Sequence, residues 1–553
     1  MVEFVNRNLS KSLILLCACS MLIFIATILL RLDFSQSNFS PGDLLYMLSL
    51  PAVIYLFFSC ALLLIINKFI DKRASWLIPF LLVAILTVVF PLLQYPSIDS
   101  WDSFGHGSTV ISIESNAHIP SYTGYFVYPG AFILSTIFSQ IIGCSVLEAG
   151  MLLVSFLNIL IVSLLLLAGC MIIGREKSWL VPTIFFAFSF TFDVGLLHYC
   201  PQLLGFCLYV LFVCAIVTKS KSSTNREVIV LSFVLLSALT LIHPFSALVA
   251  VITLSCIYIF GNRLQSPLKL RNRQLISFLL AVSGCLLFIS WHVFVAVVPF
   301  ESSIRSLVSI LQRGKSSSFL QAIIYKPIPG ALTQTIAYYR YGVYALFATL
   351  SFLCILLFWR RQEIKLTTLL ILGALLEGIT VYFTPAAFGI GRIVLFAGVP
   401  VSLLTFYLIK NLRNQLLSKP VKVLEALIPF LIIGTFLVSN LYVSTYTLFM
   451  HPDEVSAAQF VARKVERQIS TLIDDALIIQ FYANESVPMQ IINPPYVPSE
   501  TAKEILDKAD ASLQYLPRQQ YYYNLGFVGD EYNLVYSNGL SRIYAKTNAN
   551  GTK

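Results

Sequence analysis

The residues richest in chemistry stand together at 98–107, Ile-Asp-Ser-Trp-Asp-Ser-Phe-Gly-His-Gly. Asp99 and Asp102 are three positions apart, so one helical turn would set both carboxylates on one face, and His106 continues it four residues beyond Asp102. Two carboxylates and an imidazole in that arrangement can hold a divalent cation or take a proton from a nucleophile. The plain alternative is a polar loop that happens to carry aspartates. No Lys or Arg stands between Arg73 and Arg175, so this stretch is net negative in a chain with few charges.

Further candidates recur at turns. His198, Tyr199 and Gln202 fall in Leu-Leu-His-Tyr-Cys-Pro-Gln-Leu (196–203), and His243 falls in Leu-Ile-His-Pro-Phe (241–245). Pro201 and Pro244 would also serve simply as helix punctuation. Glu377 lies inside an apolar run, where an ionisable group is costly and usually faces a cavity or a partner. Asp193 closes another such run, and Arg392 stands nearly alone beside a third, after Phe-Gly-Ile-Gly, as a guanidinium fork suited to an anion. Arg305, Arg313, Lys315, Lys326 and Arg340 between 300 and 340 would suit an anionic lipid phosphate or, more plainly, anionic headgroups.

The elements that must position these groups follow from composition. Of 553 residues, 57% are hydrophobic and only 12% charged, against about 25% charged in soluble domains. The apolar residues come in runs of the length that crosses about 30 Å of hydrocarbon as a helix. Thirteen spans are predicted, near 11–30, 44–66, 76–94, 148–173, 179–194, 202–218, 228–243, 245–261, 275–298, 341–359, 367–384, 392–409 and 425–447. With the N-terminus cytoplasmic, the inner loops carry twenty-one Lys and Arg and the outer loops seven, the asymmetry that membrane orientation requires. The net charge of +10 sits in these short clusters and forms no basic stripe, which argues against nucleic acid. The cysteines lie mostly in apolar runs without a Cys-x-x-Cys pair, so neither a disulfide framework nor a zinc site is expected.

Residues 128–143 are apolar but short and open on Tyr128-Pro129-Gly130. A crossing there would invert every later basic cluster, so the segment is read as an interfacial or re-entrant helix and 95–147 as one long outer element. Residues 1–449 then form the multi-span domain, and 450–553 a small extracytoplasmic α/β domain. The latter has an amphipathic helix opened by Pro452-Asp453 and strands in ALIIQFYAN and on either side of Asn538-Gly539. The fold class is an all-α polytopic membrane protein with that small domain appended.

A span followed by an Asp-bearing outer loop, then Tyr-x-x-Tyr-Pro-Gly opening a helix that ends in glycine, resembles the first outer loop of GT-C glycosyltransferases. The residues are Asp99, Asp102, Tyr125, Tyr128, Pro129 and Gly143. The long span ending Gly-Arg-Glu-Lys, the HYCPQ and IHP turns and the YSNGLSRIY tail also resemble prokaryotic, especially archaeal, members. The resemblance implies a multi-pass cell-membrane enzyme that moves a sugar from a polyprenyl-phosphate donor to a glycan, lipid or protein acceptor outside the cytoplasm, among membrane lipids. It gives the base role to Asp99 or Asp102 and, with His106, a candidate Mg or Mn site. It gives donor-phosphate binding to Arg392, and His106, Tyr128, His198, Tyr199, Gln202, His243 and Glu377 join as substrate-site candidates. The WWDYG signature of oligosaccharyltransferase catalytic subunits is absent, which points away from whole-glycan transfer to a sequon asparagine. Two spans precede the one feeding the Asp loop, where many relatives place that loop after the first. A transporter or flippase of lipid-linked glycans is the alternative from another class. Such proteins tend to show inverted repeats, and none is visible. A non-catalytic scaffold presenting the tail would leave the acidic loop without a purpose.

Overall fold

The computed structural model describes residues 101–119, 124–174, 177–189, 199–221, 226–264, 271–298, 331–382 and 391–414, five short strands in the tail, and single residues such as Leu196 and Ile428. The first three expected spans lie outside the described residues, as does the thirteenth apart from Ile428.

The helices are α1 (Trp101–Asn116), α2 (Gly130–Ile142), α3 (Val146–Ile172), α4 (Leu180–Ser189), α5 (Pro201–Lys221), α6 (Arg226–Ile242), α7 (Pro244–Leu264), α8 (Arg271–Phe294), α9 (Ala331–Phe358), α10 (Gln362–Tyr382) and α11 (Gly391–Asn414). Two described helices, Glu148–Ile172 and Ile393–Leu412, are by themselves long and apolar enough to cross a membrane. Large apolar side chains nevertheless face outward on α6 and α8, among them Val230, Val234, Leu286 and Ile289. An apolar exterior of this extent is the mark of a lipid-facing surface.

Local chemistry sets the boundaries. Ser145 and Glu148 form a reciprocal capping box at the start of α3, with Ser145 N donating to Glu148 Oε2 at 2.8 Å. The α2 helix stops at Gly143, whose φ of +72° is a left-handed cap, and its N–H donates back to Ser139 O at 2.8 Å. Pro201 and Pro244 each occupy a first helical position, where the missing N–H costs nothing. At the far end of α3, Lys410 Nζ from α11 donates to Ile173 O at 2.6 Å, meeting a terminal carbonyl with a cation.

With 13 residues, α2 is about 20 Å long, short of the roughly 30 Å hydrocarbon layer. Its pattern is inside-out. Ser135, Thr136 and Ser139 point inward, while Ile137 and Ile141 point outward, the latter 78% exposed. The inward hydroxyls of Ser135 and Thr136 bond carbonyls four residues back, at 2.9 and 3.0 Å, so they bring no unmet polar group into the interior.

The expected spans are recovered as helices from 148 to 414, with shifted ends. The clearest shift is α9, which begins at Ala331 where hydropathy places the start near 341. Its first residues, ALTQTIAYYR, are too polar to read as a span but are compatible with a helix that continues past the apolar layer.

The tail strands β1 (Ile469–Leu472), β2 (Met489–Ile492), β3 (Leu513–Pro517), β4 (Tyr532–Ser537) and β5 (Ser541–Lys546) form one mixed sheet in the order β2-β1-β3-β5-β4. β1 runs parallel to β2 and β3, while β5 pairs antiparallel with β3 and β4. The β4–β5 pair flanks Asn538-Gly539 and has a bulge between Leu534 and Tyr536. The ALIIQFYAN segment lies outside the described residues, as does the Pro452 helix apart from Gln459.

Candidate functional site

Most of the described candidate residues gather at one end of the helical bundle, around α2. Tyr128 precedes α2, and its hydroxyl lies 2.9 Å from His292 Nε2 at the end of α8. His292 Nδ1 lies 2.8 Å from Phe288 O, so that nitrogen carries the proton, Nε2 accepts, and the tyrosine donates. One residue away, Trp291 Nε1 donates to Val127 O at 3.0 Å. Gly130 meets the end of α6, where a Cβ would come 2.7 Å from Ile242 Cγ1. Only a residue without a side chain allows that approach.

The inward face of α2 meets the Asp-bearing helix. The His106 ring, 3% exposed, lies between Phe132 of α2 and Tyr199, with ring centroids 5.8 and 6.4 Å away. Tyr199 completes the group by donating its hydroxyl to Ser135 Oγ at 2.7 Å. Burial raises the Tyr199 hydroxyl above its ordinary value of 10.0, only partly opposed by the Ser135 bond, and burial raises Tyr128 likewise. Both remain protonated donors at neutral pH.

His243 lies at the α6–α7 turn, its Nδ1 2.8 Å from Ser246 Oγ and accepting the Ser246 N–H at 3.3 Å. The ring thereby caps α7. Gln202 is half-buried in the first turn of α5, three residues beyond Tyr199. Glu377 is fully buried on α10, and the Tyr209 hydroxyl of α5 lies beside it and Thr253 of α7. The level of Glu377 is close to the start of α11, because a Cβ on neighbouring Gly378 would come 2.5 Å from Ile393 Cδ1.

Arg392 occupies the first turn of α11. Lys410 of the same helix reaches Ile173 at the far end of α3. Eighteen residues of helix, about 27 Å, therefore carry the Arg392 backbone toward the α2 end. Asp102 lies in the first turn of α1, which begins at Trp101; Asp99 and His198 lie outside the described residues. Of the basic residues at 300–340, Arg305 pairs with Glu301 at 3.0 Å on the surface, the i,i+4 contact of an exposed helix.

Among the described residues no three His, Cys, Asp or Glu side chains come together as a metal site. Of the expected ligand set, His106 is the side chain that is described, its ring against those of Phe132 and Tyr199; carboxylate oxygens from Asp99 and Asp102 are donors suited to Mg or Mn.

Sequence reasoning did not single out Ser135, Trp291 or Asn158. Asn158 was detectable as a lone amide within the long apolar run of α3, and Ser135 as part of a hydroxyl stripe with Thr136 and Ser139.

No family model matches the sequence, and no curated protein does. Solved structures do match. The oligosaccharyltransferase AglB of Archaeoglobus fulgidus, in complex with an inhibitory peptide and a dolichol-phosphate, aligns with a TM-score of 0.55 at 11% identity over 82% of this chain and 70% of its own. An oligosaccharyltransferase of Archaeoglobus fulgidus in complex with Zn and sulfate gives 0.54 at 10% identity, over 85% of this chain and 73% of its own. ArnT of Cupriavidus metallidurans, bound to undecaprenyl phosphate, gives 0.53 at 10% identity, over 87% of this chain and all of its own. Identities this low speak for the fold alone, and the described part of this chain shares the fold of these proteins.

Proposed function

We propose that the protein is a membrane glycosyltransferase that moves a sugar from a polyprenyl-phosphate-linked donor to a glycan, lipid or protein acceptor on the outer face of the membrane. The observation that carries this reading is the placement of α1, with Asp102 in its first turn, against the α2 end of a fold shared with AglB and ArnT. The two neighbours were solved with a dolichol-phosphate and an undecaprenyl phosphate, which supports the donor class.

In this reading Asp99 or Asp102 accepts the acceptor's proton as its heteroatom attacks the anomeric carbon. The bond from that carbon to the donor phosphate breaks, and polyprenyl phosphate leaves with the electron pair. Arg392 steadies the charge that develops on the departing phosphate. A divalent ion held by the two carboxylates would supply further positive charge there. Tyr128, Tyr199, His198, Gln202, His243 and Glu377 shape or support the surrounding cleft. The N-terminus is cytoplasmic, and residues 450–553 form an extracytoplasmic domain.

The test is to incubate purified protein with a panel of polyprenyl-phosphate sugars and candidate acceptors, with and without a chelator, and to follow release of polyprenyl phosphate. Release that requires acceptor supports the reading. Movement of intact lipid-linked sugar between leaflets without bond cleavage would replace it with a flippase.

A further inference from the structure

Asn158 lies fully buried in the middle of α3, twelve residues, or about 18 Å, beyond Val146. Its Nδ2 donates twice, to Val154 O at 3.0 Å and across the bundle to Leu196 O at 2.7 Å. Both amide hydrogens thus meet carbonyls. A flipped amide would set Oδ1 against those same two oxygens, so the network fixes the orientation.

The cross-bundle bond holds the Leu196 carbonyl, five residues before α5 begins. Three residues beyond Leu196, Tyr199 lies against the start of α3, its Cγ 3.2 Å from where a Cβ on Gly150 would stand. Its hydroxyl binds Ser135 of α2, and its ring meets His106 of α1 edge-on. Tyr199 and Cys200 are non-helical yet buried, 8% and 7% exposed. Backbone of that kind at membrane depth persists only where protein groups or a water-filled cavity satisfy it. For Leu196 the group is the Asn158 amide.

We propose that Asn158 is a positioning residue that fixes the Leu196 carbonyl against α3 and, through Tyr199 three residues on, the packing of the Asp-bearing α1 against α2. The catalytic part of this inference rests on the glycosyltransferase reading; the positional part does not. Displacement of reacting groups by about 1 Å can cost roughly a hundred-fold in rate. Asn158→Leu, similar in volume but without the donor, therefore lowers kcat by roughly ten- to a hundred-fold, with donor KM changed less than about two-fold.

Two measurements decide it. Hydrogen–deuterium exchange of the intact membrane protein reads the amides of residues 196–204, which exchange faster in Asn158→Leu while those in the second half of α3 do not. A double-mutant cycle of Asn158→Leu with Tyr199→Phe reads transfer rate, and the combined loss is smaller than the product of the single losses because Asn158 acts through Tyr199. Asn158→Asp or Asn158→Thr takes the place of the leucine variant if it fails to accumulate. Unchanged exchange at 196–204 overturns the proposal whatever the activity. Faster exchange with unaltered turnover, or with multiplicative losses, overturns the link to catalysis. If the wild-type protein transfers no sugar, the functional reading fails and exchange alone judges the positional claim.

Discussion

The Tyr128 hydroxyl and His292 Nε2 stand 2.9 Å apart across 164 residues of sequence, and the adjacent pair Val127 and Trp291 makes a parallel bond at 3.0 Å. Together they clasp the entry to α2 onto the end of α8. The imidazole serves as an acceptor because its other nitrogen is committed to Phe288 O. The clasp therefore needs a neutral histidine and a protonated tyrosine.

Tyr128→Phe and His292→Phe each remove one partner of that bond. A typical intramolecular hydrogen bond contributes about 0.5–1.5 kcal/mol net. Each variant is expected to lose about that much stability, and the double variant little more than either alone. Thermal midpoints in detergent check this, and additive losses would show that the contact is not coupled.

Gly130→Val would drive a branched side chain into Ile242 and the Leu241 carbonyl, which stand 2.7 and 3.1 Å from the site of a Cβ. Overpacking of this kind costs about 1–3 kcal/mol. Ile242→Ala removes the atom struck and is expected to restore part of the loss. A Gly130→Val protein as stable as the parent would mean that α2 does not rest on α6.

Because burial lifts Tyr128 and Tyr199 above 10.0, both stay protonated when the same tyrosines of an unfolded chain ionise. Their stabilising contribution is fully present below pH 10 and is lost as the pH rises beyond it. Stability measured from pH 7 to pH 9 is expected to show no fall attributable to them. Above pH 10 the doubly substituted Tyr128→Phe, Tyr199→Phe protein should decline less steeply than the parent.

Asp99→Asn and Asp102→Asn separate the two candidate bases. Loss of a general base costs about a hundred- to ten-thousand-fold in rate, and one variant is expected to show that loss with expression intact. Arg392→Ala is expected to raise the donor KM more than the acceptor KM. Full activity in both aspartate variants would remove the base assignment, and an unchanged donor KM would remove the arginine's role.

Local pattern accounts for the part of the fold that was legible in the sequence. The brevity of 128–143, its Tyr-Pro-Gly opening and its closing glycine gave α2 its length and ends, because caps and hydropathy are properties of neighbouring residues. The two strands flanking Asn538-Gly539 were readable for the same reason. The partners of Tyr128, Ser135 and Asn158 were not, since each lies 38 to 164 positions away and no periodicity links them. His106 shows a subtler difference. Its spacing pointed to Asp102 alone, and the rings it meets, Phe132 and Tyr199, lie 26 and 93 positions away. The start of α9 was missed because hydropathy marks where lipid ends, not where a helix does.

The inside-out face of α2 also bears on how the chain is made. Its inward hydroxyls and outward isoleucines suit neither water nor a lone place in lipid, and the groups that hold it are translated later, the last of them 164 residues on. At about 5–20 residues per second, the ribosome needs on the order of ten seconds or more to supply Trp291 and His292. Through that interval the segment lacks its final seat, so the entry to α2 is fastened late, after α8 has emerged, and not when its own residues are synthesised.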